Sequence, residues 1–72
     1  MYKSIAVTGS IEELQELIQE LEANGYKCNY QTNQEIASLV LWPEKCYNTY
    51  SMTDPIADVT YTVNDFKQLN LL

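Results

Sequence analysis

Histidine and arginine are both absent from this chain of 72 residues. Each absence removes a class of chemistry. Without histidine, neither Cys28 nor Cys46 has the usual base that would draw off its proton, so a catalytic thiol is not expected. Two cysteines and no histidine also fall short of the four ligands that a structural zinc site needs. Without arginine, and with four lysines against ten carboxylates, a net charge of -6 lacks the electrostatic footprint of a phosphate binder. Direct binding to DNA or RNA is not expected.

Long apolar runs are missing too. No stretch approaches the ~20 residues of a membrane span, and the opening MYKSIAVTGS has no apolar h-region of a secretory signal. The chain is therefore expected to be soluble and cytoplasmic, with both thiols reduced. Cys28 and Cys46 are expected in the core, where cysteine behaves as a small apolar residue. No repeat, linker or low-complexity segment interrupts residues 1–72, which read as one domain. At this length apolar burial and the entropy of ordering nearly cancel, so a second subunit or a partner is the expected source of extra stability.

What is present is a clear periodic pattern. Residues 2–8 alternate, with Ile5 and Val7 on one face and Ser4, Ala6 and Thr8 on the other. Ser10 precedes Glu13 by three positions, the capping-box spacing. Ile11, Leu14, Leu17, Ile18 and Leu21 then form one apolar stripe, and Asn24-Gly25 supplies the stop. This predicts a helix of about 14 residues, about 21 Å long.

Period two returns after Gly25. Residues 27–31 place Cys28 and Tyr30 on one side, and residues 36–42 form the strongest strand, stopped by Pro43. Pro43-Glu44-Lys45 fits a hairpin turn into residues 46–52. Asp54-Pro55 marks another turn. Residues 58–63 then alternate, with Val59, Tyr61 and Val63 against Asp58, Thr60 and Thr62. Asn64 suits the N-cap of a short last helix carrying Phe66 and Leu69. The expected fold is α+β: a two-layer β-α-β-β-β sheet of four or five strands, with one main helix packed on one face and room for a short C-terminal helix.

One helix ~10 Å wide cannot cover four or five strands spaced ~4.8 Å apart. In residues 36–42, Ala37, Leu39 and Leu41 point one way and Ile36, Val40 and Trp42 the other. The first set suits a leucine-rich helix, which leaves Ile36, Val40 and Trp42 as the expected outer face. A symmetric homodimer there would cover it, with residues 66–72 or a foreign partner as the other candidates.

Three further features invite a site. Glu12, Glu16 and Glu20 recur at i, i+4 and i+8 with no lysine on the helix, a self-repelling row. Its plain reading is a solvated face, with all five helix carboxylates toward water; its functional reading is a surface for a basic partner, including imitation of a nucleic-acid backbone. Tyr30, Trp42, Tyr47, Tyr50 and Tyr61 fall in or beside the strands. Aromatics there serve equally as core and as interface, and Tyr47 and Tyr50 join the candidate contacts. Gly9-Ser10 opens a helix that could hold an anion, but Ser10, Glu12 and Glu13 already supply oxygens there. No catalytic, cofactor-binding or metal-binding residue is expected, so the chain reads as a binder and not as an enzyme.

The run Ser10-x-Glu12-Glu13-Leu14, then Leu21-x-x-Asn24-Gly25-Tyr26, and finally Tyr61-Thr62-Val63-x-x-Phe66 resembles a type of small acidic accessory protein common in bacteriophage and prophage genomes. The likeness spans most of the chain in structural punctuation, and it carries over no functional residue. It implies a viral accessory role: interference with a host protein, a restriction system or another defence. An oligomeric binder that sequesters a small nucleotide signal is the alternative, although such phosphates call for the donors this chain lacks.

Overall fold

A computed structural model describes residues 4–72. It is a small α+β fold with a five-stranded mixed sheet and two helices, in the order β1 (Ile5–Thr8), α1 (Ile11–Ala23), β2 (Lys27–Tyr30), β3 (Ser38–Trp42), β4 (Cys46–Tyr50), β5 (Val59–Thr62) and α2 (Val63–Gln68). The alternating segment after Asp58 is thus a fifth strand. Residues 2 and 3 of the expected first strand lie outside the described residues.

The caps of α1 form as the spacing predicts. Ser10 N–H donates to Glu13 Oε1 at 2.9 Å and Glu13 N–H to Ser10 Oγ at 3.2 Å. At the other end Tyr26 N–H reaches Leu21 O and Gly25 N–H reaches Glu22 O, the paired bonds of a Schellman motif. Gly25 holds the left-handed position at φ 91°. Gly9 is needed for a different reason: a Cβ there would lie 2.7 Å from Val63 Cγ2. The last helix starts earlier than expected. Thr62 is its N-cap, accepting from Asp65 N–H at 3.1 Å, and Asn64 lies inside the helix.

Pro43-Glu44-Lys45 closes the β3–β4 hairpin as a three-residue loop. Lys45 N–H bonds Trp42 O, and Lys45 takes φ 65°, the geometry of a type I turn followed by a left-handed residue. From there Lys45 Nζ donates to Asn24 O at 3.0 Å. A cation from the hairpin thus serves the C-terminal end of a helix with no basic residue in its last turn.

The strand order is β2-β4-β3-β1-β5. β1 is antiparallel to β3 and β3 to β4, while β1–β5 and β2–β4 run parallel. The register aligns Ile5, Leu41, Tyr47 and Val59 in one row and Val7, Leu39, Thr49 and Tyr61 in the next. Ile5, Val7, Leu39, Leu41 and Tyr47 join Leu14, Leu17 and Leu21 of α1 and Val63 and Phe66 of α2 in one core cluster.

The opposite face is covered by the chain itself. Both β1-to-β2 and β4-to-β5 join parallel strands and step across the sheet in opposite directions. The shared right-handed sense of such crossovers therefore places them on opposite faces. Residues 51–58 cross the face away from α1. Ser38 Oγ donates to Met52 O at 2.6 Å at one end. Ser4 and Asp58 exchange two bonds at the other, Ser4 N–H to Asp58 Oδ2 and Asp58 N–H to Ser4 Oγ. Pro55 is buried between these anchors, and Ala6 and Val40 beneath are 0% and 1% exposed. The cover expected from a dimer or from residues 66–72 comes instead from this crossover.

Candidate functional site

The helix carboxylates do not share one fate. Glu13 is engaged in the cap, and Glu22 accepts from Tyr47 Oη–H at 2.8 Å. Glu20 lies 3.7 Å from Lys67 in an exposed pair, worth little against solvent screening. Glu12 and Glu16 are exposed, and among the described residues neither has an ion pair. The expectation that all five point to water holds least for Glu13, half-buried at the cap, while Glu22 is exposed yet tied to the core residue Tyr47. The acidic row is therefore shorter than its spacing suggests.

Of the sheet residues singled out as contacts, two are interior. Val40 is 1% exposed under residues 51–58, and Tyr47 is 3% exposed in the core. Neither offers side-chain surface to a partner. Burial, with the hydrogen bond to Glu22 and the nearby Cys28 thiol adding to it, pushes the Tyr47 phenol well above its ordinary value. Ile36 also departs from expectation. It precedes β3 and packs half-buried against the core cluster on the α1 side, not on the outer face. Trp42 is half-buried at the turn end of β3, with the parity of Val40.

Tyr50, like Trp42, is half-buried on the outer face, and it lies beside a residue that simple alternation misplaces. Cys28 pairs with Tyr47 while Tyr30 pairs with Asn48, so β2 advances two residues against one on β4. This bulge at Asn29 turns Tyr30 to the face opposite Cys28. Tyr30 then meets Tyr50, ring centroids 5.8 Å apart and tilted by 32°, within the favourable range for aromatic pairs. Tyr30 remains 52% exposed. Asn48 Nδ2 donates to Tyr50 Oη at 2.7 Å, and its other amide atom, Oδ1, is buried without a partner among the described residues. Asn48 gives no sign in the sequence beyond its place in an alternating strand.

The cysteines are not core residues either. Cys28 is exposed on the edge strand and Cys46 half-buried at the start of β4. A groove of about 490 Å³ runs between α1 and residues 31–36, with Ile11, Ile18 and Ile36 among its lining and Gln15, Gln31, Gln34 and Glu35 around them. It contains a carboxylate and no cation, which suits a neutral ligand better than a phosphate. No helix among the described residues is long and apolar enough to cross a membrane. No protein-family model, curated protein or solved structure matches this chain.

Proposed function

We propose that this chain works by binding another protein through the β2–β4 end of the sheet face opposite α1, where Tyr30 stays exposed, as a phage-type accessory protein that inhibits or otherwise modulates a host factor in the host cytoplasm. The observation that carries the binding mode is the Tyr30–Tyr50 pair, in which Tyr30 stays 52% exposed. An exposed tyrosine backed by a second ring supplies large contact area at low entropic cost. In this reading α1 is the main helix of a two-layer fold and supports the sheet from behind. The viral setting rests on the resemblance, and the acidic row is a secondary surface.

The test is comparative capture from host lysate. Tyr30→Ala combined with Tyr50→Ala should lose a protein that the unmodified chain retains, while Glu12→Gln combined with Glu16→Gln should keep it. Loss through the glutamate variant with retention through the tyrosine variant would move the contact to the helix. A small molecule retained with no protein would favour the sequestering alternative.

A further inference from the structure

The two edges of the sheet are built differently. β2 begins with Lys27 and carries the bulge at Asn29; both devices discourage an edge strand from pairing with another chain. β5, at the opposite edge, has neither. Its residues Val59, Thr60, Tyr61 and Thr62 are β-branched or aromatic and uncharged, and its register with β1 is unbroken. Among the described residues no strand pairs with its outer side. The backbone groups on that side can be taken up as a ladder only by another strand.

We infer that β5 is a docking edge for a second copy of this chain, paired antiparallel about a two-fold axis into a continuous ten-stranded sheet. Symmetry and charge select this occupant. A two-fold perpendicular to the sheet sets residues of one face opposite each other. Centred on Thr60, it places Thr60 against Thr60 of the second copy, and Val59 against Tyr61 of the second copy twice. Threonine pairs and β-branched–aromatic pairs are favourable cross-strand neighbours. Two chains of net charge -6 repel over most of their surfaces, yet this strand is neutral, and the register sets Asp58 against Thr62 and not against a carboxylate. A foreign strand would have no such self-complementarity. The pairing leaves Tyr30 and Tyr50 near the two far edges of the joined sheet, so it stands independently of the proposed partner surface.

Sedimentation across the micromolar range decides the matter, read with hydrogen exchange. The unmodified protein should pass from an 8.3 kDa species to one of twice that mass, and amides of β5 should gain protection as the concentration rises. Thr60 is exposed, so Thr60→Lys and Thr60→Glu should each fold, as judged by circular dichroism, yet remain monomeric. An equimolar mixture of the two should restore the dimer, because the axis brings the ammonium against the carboxylate. The exchange measurement needs no variant and holds if either substitution fails to fold. An unmodified protein that stays at 8.3 kDa would overturn the inference. So would a Thr60→Lys dimer, a mixture of the two variants that stays monomeric, or a dimer whose β5 amides exchange at the same rate at every concentration.

Discussion

Tyr30 lies against Tyr50, ring centroids 5.8 Å apart, although alternation alone would send Tyr30 to the opposite face of the sheet. The bulge at Asn29 makes the contact. It also explains how an edge strand with all four residues exposed still contributes an aromatic to the face away from α1.

Leu17 is fully buried in the cluster formed by α1 and the sheet. Leu17→Ala should cost about 2–5 kcal/mol, the range for truncating a buried leucine. Chemical denaturation measures it. A loss below about 0.5 kcal/mol, the scale of a surface substitution, would mean that the site collapses around the cavity or that α1 is turned otherwise.

The two exposed glutamates without ion pairs should be dispensable for folding. Glu12→Gln with Glu16→Gln should hold stability or raise it by a few tenths of a kcal/mol, because like charges at i, i+4 repel. Glu22→Ala should instead lower it by about 1 kcal/mol, since the Tyr47 hydroxyl loses its acceptor. Equal effects from the two changes would contradict the division of roles.

Tyr47 ties stability to alkaline pH. Its phenol is held above the ordinary value near 10.0 in the folded chain, first by burial and then by Glu22 and Cys28. Between the unfolded and folded values the folded state binds the extra proton, so stability falls as pH rises. It is fully present below about pH 10 and lost above it. Tyr47→Phe should be less stable at neutral pH, and its alkaline decline should be shallower. Denaturation midpoints between pH 8 and 11 compare the slopes, and parallel slopes would remove Tyr47 as the cause.

Gly9→Ala should cost about 1–3 kcal/mol, the usual scale for overpacking. The added methyl meets Val63 Cγ2 at 2.7 Å and Glu13 Oε1 at 2.9 Å, so it presses on the first residue of α2 and on the α1 cap together. Combining it with Val63→Ala should recover part of the loss. A double variant whose losses simply add would place the strain elsewhere.

Local chemistry made much of the fold legible. The capping box at Ser10 and Glu13, the leucine stripe, the stop at Gly25 and the hairpin at Pro43-Glu44-Lys45 are each decided by neighbours a few residues apart, and each formed where the spacing placed it. The division of β3, with Leu39 and Leu41 toward α1 and Val40 and Trp42 away, follows from period two and held as well. The N-cap of α2 shifted by two residues because Thr62 and Asn64 are both competent caps, and burial of Val63 beside Gly9 favours the earlier start.

What tertiary structure alone decided concerns residues distant in sequence. That residues 51–58 would cover Ala6 and Val40 depends on strand order and crossover hand, neither of which a turn signal at Asp54-Pro55 encodes. The engagement of Glu22 by Tyr47 and of the helix end by Lys45 depends on which strand comes to lie beneath the last turn of α1. The bulge that turns Tyr30 outward depends on how β2 is matched against β4, a partner 18 or 19 residues away at the paired positions Lys27–Cys46, Cys28–Tyr47 and Tyr30–Asn48. Periodicity gives each side chain a face within its own element; only the pairing of elements determines which faces meet and which stay open to a partner.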